Sequence, residues 1–362
     1  MDTQTKVEIV KGIAEEVITE DELKQVFQNK DHPIAYDGFE PSGIAHIPFG
    51  ILRPLIIKEL LKTGIQFKLW LADPFAWINN KMGGDLGKIK KVSEYFVEVW
   101  KAAGIDTKKV EFISAMDAFS DKEYWKKVIL VAKNTTVHRA TRALTIMGRK
   151  EGELTEVAQY FYPAMQTADV FYLDVDITQL GLDQRRACIL AREIAEKLKW
   201  KKPVVVSHHM LMGLEGRKEP EGFETEKSFD AEISSKMSKS KPQTCIYVHD
   251  SEKEIFEKMN KAFCEPKNIE NNPVLEYAKQ IIFRGFKEMK IERPKKFGGD
   301  IVLESYSELE EVFRKGELHP LDLKKSAAFY LNEMIKPIRQ HFEKNKKAKE
   351  LYGFVKAQQI TR

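Results

Sequence analysis

Three features of the sequence predict an α/β architecture. Short β-branched strands near Ile34, at Gln66 to Leu71, at Val110 to Ser114 and at Pro203 to Ser207 alternate with helical segments. That alternation is the signature of a doubly wound parallel sheet of the Rossmann type, with ligands at the carboxyl ends of its strands. A block from Asp117 to Tyr160 keeps a helical period and reads as a helical insertion between two halves of the sheet. After Pro242 only helical patterns remain, which predicts an all-α C-terminal domain.

The elements follow in order. Residues 1–30 read as an N-terminal helical segment, with Val7, Ile9, Val10 and Ile13 and then Leu23, Val26 and Phe27 at helical spacing. Thr19 followed by Glu20-Asp21-Glu22 reads as a helix start. The catalytic domain is expected over 31–215. It opens with a strand, a turn through Glu40-Pro41-Ser42-Gly43 and a Leu- and Ile-rich helix that runs to Gly64. A strand–turn–helix of this kind leaves backbone N–H groups where a phosphate or ribose can sit. The insertion, about 117–160, is basic at Lys126, Lys127, Lys133, His138, Arg139, Arg142, Arg149 and Lys150. Its apolar Val128, Leu130 and Val131 cover more than one helix face, as a subunit interface or an internal core would require. A polar linker together with a lysine-rich loop spans 216–245. The helical domain, 246–362, starts at Ser251-Glu252-Lys253-Glu254, is irregular from Arg293 to Asp300, and ends in a helix from Asp322 to about Lys349.

Composition narrows the function classes. At 362 residues, 43% hydrophobic and 31% charged, the chain is long enough for two domains or a little more, each with its own core. No apolar run reaches the length of a membrane span and Met1-Asp2-Thr3-Gln4 opens no signal region, so a soluble, cytoplasmic protein is expected. Cys188, Cys245 and Cys264 lack paired spacing, which argues for reduced thiols and against a zinc site; no metal ligands are assigned. The formal charge is +4, and from Ile246 onward 23 Lys and Arg face 19 Asp and Glu. The excess lies in the last third, where it favours a nucleic-acid partner.

Two stretches carry chemistry. Ser234 to Pro242 alternates lysines with small hydroxyl residues, which suits a loop meeting a polyphosphate and equally suits a solvated basic loop. Tyr162, Gln166 and Asp169 are spaced by four and three residues and share one helix face. Amid Phe161, Met165, Ala168 and Phe171 they would need a polar ligand if buried, or they are surface residues of an amphipathic helix.

Lys236 to Ser240 reads K-M-S-K-S, the ATP-phosphate loop of class I aminoacyl-tRNA synthetases. Together with Tyr36, Tyr162 to Asp169 and Leu182-Asp183-Gln184-Arg185-Arg186, it makes the chain resemble a tyrosyl-tRNA synthetase of the archaeal and eukaryotic cytosolic type. The resemblance runs from about residue 30 to the C-terminus, through Phe297-Gly298-Gly299-Asp300 and Leu318 to Lys324.

The resemblance implies a tyrosine–tRNA ligase that forms tyrosyl-adenylate from L-tyrosine and ATP and then esterifies tRNA(Tyr). Tyr36 and Asp169 would hold the substrate phenol, and Tyr162, Gln166 and Gln184 its ammonium. A site built for a phenol loses a partner when phenylalanine enters, a principle that tyrosyl-tRNA synthetases themselves illustrate, so no editing domain is expected. Gly43, His46, Lys236, Met237, Ser238, Lys239 and Ser240 would bind ATP, with His46, Lys236 and Lys239 catalytic and Mg²⁺ accompanying the nucleotide. Arg185 and Arg186 would meet the acceptor stem, by base or by phosphate. Phe297 would stack on an anticodon base or plug the core, and Asp322 would read a guanine or cap the final helix. A homodimer is expected. Four departures stand out: Pro48 where glycine is usual, Phe49 where a second histidine is common, Phe75 in place of histidine, and Leu180 before Gly181. The alternatives are a synthetase-like RNA-binding protein that has lost catalysis and a tryptophanyl-tRNA synthetase.

Overall fold

The structure, a computed structural model, describes residues 1–148, 155–216, 235–239 and 241–358. The chain opens with α1 (Thr3–Ile13), β1 (Glu16–Ile18) and α2 (Glu20–Asn29). The helix start expected at Thr19 is found, and Thr19 and Glu22 form a capping box there. Between the helices, β1 is a strand in a segment expected to be wholly helical. Three residues are too few to show a period of two, and their pairing partner lies far along the chain.

The main sheet adds β2 (Ile34–Phe39), β3 (Gln66–Leu71), β4 (Val110–Ser114), β5 (Ile177–Thr178) and β6 (Val204–Ser207), in the order β1-β6-β5-β2-β3-β4. Strands β2 to β6 pair in parallel, whereas β1 runs antiparallel along β6 with Val17 opposite Val206. From β2 the order steps to β3 and β4 on one side and to β5 and β6 on the other. A crevice therefore opens at the carboxyl ends of β2 and β5, the switch point where such sheets bind ligands.

Alternation along β2 commits its side chains to opposite layers. Ala35 joins the larger apolar core with Phe67, Ile177, Val204 and Val206, which continues into the C-terminal helices through Val274, Tyr277 and Leu331. Tyr36 joins the other layer with Trp70, Tyr124, Met165, Ala168 and Ile194. The helices that build these layers are α3 (Arg53–Lys62), α4 (Asp73–Ile78), α5 (Leu86–Ala102), α6 (Ala115–Phe119), α7 (Lys122–Lys133), α8 (Val137–Ala143), α9 (Tyr162–Tyr172) and α10 (Arg185–Leu198). In the insertion, Val128 and Val131 are buried, while Ile129, Leu130, Val137, Val157, Tyr160 and Phe161 are exposed.

The C-terminal region is helical as expected, with Glu252–Lys261, Pro273–Tyr277, Tyr306–Lys315, Pro320–Lys344 and Lys346–Ala357. The helix start expected at Ser251 is found, closed by a capping box with Glu254. Within this region lies a two-stranded antiparallel ribbon, β7 (Met289–Ile291) and β8 (Ile301–Leu303), that the sequence reading did not contain. The stretch read as irregular is the connection between its strands. The last long helix also differs. It stops at Lys344, because Asn345 turns extended and caps the next helix through Ala348 N at 3.0 Å. At its start His319 Nδ1, not Asp322, accepts from Leu321 N at 3.2 Å, and Asp322 sits in the first turn. Among the described residues no helix is long and apolar enough to cross a membrane.

Candidate functional site

The crevice at the sheet's switch point is a cleft of about 790 Å³, and β2, the turn after it, α9, the loops after β5 and β6, and the lysine loop all open onto it. Tyr36, His46, Tyr162, Gln166, Asp169, Gln184, Lys236, Met237, Ser238 and Lys239 line it together. These are residues from five separate stretches of sequence. Gly43 lies in the turn after β2 at φ +107°, a backbone that only glycine adopts without strain. Ser240 lies outside the described residues.

At one end of the cleft stand a buried phenol and a buried carboxyl. Tyr36 is buried on β2, and Asp169 is buried on α9. The surface alternative for Tyr162, Gln166 and Asp169 is thus excluded: all three are buried. Burial pushes the Asp169 carboxyl well above its usual range, and the hydroxyl that Tyr124 donates to it at 3.0 Å pulls the other way. Burial first, and the Asp169 charge second, keep the Tyr36 phenol protonated.

Beside this end lies a cluster of acceptors. Tyr162 donates its hydroxyl to Glu40 Oε1 at 2.7 Å, leaving its oxygen lone pairs available. Glu40 also accepts from Asn79 at 3.0 and 3.1 Å. Gln166 Nε2 donates to Gln184 Oε1 at 3.0 Å, and Gln184 Nε2 to Ile146 O at 3.1 Å. Gln166 Oε1 is then a buried acceptor with no protein donor. Such an atom is costly unless a ligand supplies the donor. Phe75, one of the departures, packs edge-on against Tyr162 with ring centroids 4.8 Å apart and takes up the space of the histidine often found there.

The opposite end is cationic. Lys236 Nζ lies 2.6 Å from Asp183 Oδ2. Lys239 Nζ donates to Ser42 Oγ at 3.2 Å and lies 5.3 Å from the Phe96 ring centroid. Burial lowers its pKa to about 8. His46 is lowered to about 3 by burial and then by Lys239, so its imidazole is neutral, and its buried Nδ1 has no protein partner. Phe49 lines the cleft but has no group to offer a phosphate. Its ring lies 4.2 Å from Phe96, 5.0 Å from Phe39 and 5.0 Å from Trp100, in an aromatic cluster whose Phe96 lies under Lys239. Pro48 occupies the first helical position after Ile47, where its missing N–H costs nothing.

A buried ion pair backs the cleft. Arg53 Nη2 lies 2.6 Å from Asp37 Oδ2 and donates to Gln179 Oε1 at 2.6 Å. Burial lifts Asp37 to about 7 against the pull of Arg53.

The residues expected to meet RNA lie outside the cleft wall. Arg185 forms an ion pair with Glu16 of β1 at 2.8 Å, and Arg186 donates to Thr145 Oγ1 at 2.9 Å. Phe297 ends a 3₁₀ turn, Lys295–Phe297, between the ribbon strands. The sequence reading missed Tyr124, Glu40, Asp183, Asp37 and Arg53. Asp183 and Glu40 sat in stretches already singled out, next to Gln184 and before Pro41, and could have been weighed there. Tyr124 carried no signal, because its partner lies 45 residues away.

Comparison with known proteins gives the family. Residues 28–336 match the tRNA synthetases class I (W and Y). The chain is 44% identical to the tyrosine–tRNA ligase of Thermococcus sibiricus, with all of both chains covered. It is 43% identical to the cytoplasmic tyrosine–tRNA ligase 1 of Arabidopsis thaliana, covering all of this chain and 90% of that one. The crystal structure of the Pyrococcus horikoshii tyrosyl-tRNA synthetase complexed with L-tyrosine superposes with a TM-score of 0.88 at 39% identity, over 98% of this chain and 100% of the other.

Proposed function

This chain belongs to the class I tyrosyl-tRNA synthetases, and we propose how its own residues perform the tyrosine–tRNA ligase reaction. Tyrosine lies in the cleft with its phenol between Tyr36 and Asp169. Its ammonium meets the lone pairs of Tyr162, Gln166 Oε1 and Gln184, with Glu40 supplying negative charge behind Tyr162. The unpartnered, buried Gln166 Oε1 on the same helix face as Asp169 is the observation that carries this reading.

ATP binds at the lysine end, along Gly43, His46 and Lys236 to Ser240. The tyrosine carboxylate attacks the α-phosphorus in line and pyrophosphate leaves. The 2′-hydroxyl of the terminal tRNA adenosine then attacks the activated carbonyl, the mixed-anhydride bond breaks, and AMP leaves with tyrosyl-tRNA as the product. No protein nucleophile is needed, and the contribution of the protein is orientation and charge stabilisation. Neutral His46 donates a hydrogen bond to a phosphate oxygen, and the two lysines neutralise charge that builds in the transition state. Lys236 must leave Asp183 to do so. Among the described residues no group of three His, Cys, Asp or Glu gathers to hold a metal. Mg²⁺ would accompany ATP and offset the charge of its phosphates.

For tRNA, Arg185 and Arg186 face the acceptor end, and an incoming phosphate or guanine edge competes with Glu16 for Arg185. Phe297 and Asp322 serve the anticodon. The exposed apolar residues of the insertion, Ile129 to Phe161, are the surface for a second copy of the chain, and a cytosolic enzyme fits the reduced cysteines.

Tyrosine-dependent ATP–pyrophosphate exchange tests the activation half, with phenylalanine and tryptophan as controls. Exchange with tyrosine alone, lost in Lys236→Ala and Asp169→Ala, is expected. Folded protein that binds tRNA but gives no exchange would overturn it in favour of a non-catalytic RNA-binding role.

A further inference from the structure

The lysine loop is zipped by its backbone onto the segment that follows β6. Lys236 and Met212 form an antiparallel bridge. Met237 N donates to Leu211 O at 2.6 Å, and Gly213 N to Ser235 O at 2.9 Å. Residues 209–213 are thus a rail whose position fixes where Lys236 and Met237 enter the cleft.

The other side of the rail is held from the C-terminal region. Glu276 Oε2 accepts from Met212 N at 3.0 Å, and Tyr277 donates its hydroxyl to Met212 O at 2.6 Å. Both backbone polar groups of Met212 therefore end on two successive residues of one helix, Pro273–Tyr277. Glu276 also pairs with His209 Nε2, whose Nδ1 lies 3.1 Å from Glu15. The Glu276 side chain is only 9% exposed and Tyr277 is fully buried, so their contacts to Met212 are largely shielded from solvent, while His209 and Glu15 lie toward the surface. Burying a carboxylate is costly unless donors are fixed around it, and His209 and Met212 N are those donors.

We propose that Glu276 is a positioning residue for the ATP half of the reaction, holding the 209–213 rail so that the lysine loop meets the phosphates. Through it the C-terminal region sets the geometry of adenylate formation. The inference rests on the reading of Lys236 and Lys239 as ATP ligands. Of the residues at the tyrosine end, Tyr36, Tyr162, Gln166 and Asp169 stand on β2 and α9, and only the Gln184 loop adjoins the rail, through Leu182 N donating to His208 O at 3.1 Å. Loosening the rail should therefore be felt by ATP and not by tyrosine. A sub-ångström misplacement of the lysines costs catalysis because the charge stabilisation is geometric.

The test compares Glu276→Ala, Glu276→Gln and Tyr277→Phe with the parent protein. It uses ATP–pyrophosphate exchange for ATP parameters and equilibrium dialysis for tyrosine affinity. Glu276→Ala is expected to lower kcat/KM for ATP at least tenfold with tyrosine Kd changed less than twofold. Glu276→Gln should recover most of that loss, since its carboxamide oxygen still accepts from Met212 N. Tyr277→Phe, which removes a single hydrogen bond, gives the same ATP-selective direction at roughly threefold or more and serves if Glu276→Ala does not fold. ATP parameters within twofold of the parent in folded variants, or ATP and tyrosine terms falling in parallel, would overturn the proposal. Absence of tyrosine-dependent exchange in the parent itself would instead overturn the assignment of the reaction.

Discussion

Tyr124 on α7 donates its hydroxyl to Asp169 on α9 at 3.0 Å, so the helical insertion reaches the floor of the tyrosine cleft. The bond orients the carboxylate and opposes the rise in its pKa that burial causes. Tyr124→Phe should cost about 1.5–3 kcal/mol, the usual worth of a hydrogen bond to a charged group, or roughly 10- to 150-fold in kcat/KM for tyrosine. KM for ATP should stay put. Tyrosine kinetics equal to those of the parent would mean that Asp169 is held by other groups.

Lys239 gives the ATP step a pH signature. Burial lowers its pKa to about 8, so in the free enzyme the ammonium is lost as pH rises through that value. Since kcat/KM reports the free enzyme, kcat/KM for ATP should fall about tenfold per pH unit above roughly pH 8. Lys239→Arg keeps its charge throughout and should flatten this limb while lowering the plateau, because a guanidinium replaces a compact ammonium over Phe96. A limb that persists unchanged in Lys239→Arg would assign it to another group.

The Asp37–Arg53 pair should govern stability. Both groups are buried, and removing one leaves the other without compensation. Arg53→Leu is expected to cost about 3–5 kcal/mol in denaturant unfolding, and Asp37→Asn added to it should return part of that loss. A single variant within about 1 kcal/mol of the parent, the centre of the range for point substitutions in general, would show that water reaches the pair.

What could be read from the sequence was what repeats locally. The strand–helix alternation, the helix starts at Thr19 and Ser251, the lysine loop and the shared face of Tyr162, Gln166 and Asp169 all lie within short windows. What escaped depends on contacts across the chain. Glu40 and Tyr162 are 122 residues apart, and β1 finds β6 nearly two hundred residues later. Strands β5, β7 and β8 have two or three residues each, too few to display a period. The Asp322 cap failed for a different reason: the helix starts three residues earlier, with His319 as its cap and Pro320 at the first position, which leaves Asp322 inside the first turn.

Strand β1 has a consequence for handling the protein. Val204, Val205, Val206 and Ser207 form a wholly buried strand, and β1 covers its outer side, with Glu15 N also donating to Ser207 O at 2.8 Å. Removing the first eighteen residues would leave three consecutive valines with unpaired peptide groups along an open margin. Such a margin recruits strands from neighbouring molecules. A shortened form made for crystallisation or expression would thus precipitate, and the small leading strand acts as a seal against aggregation.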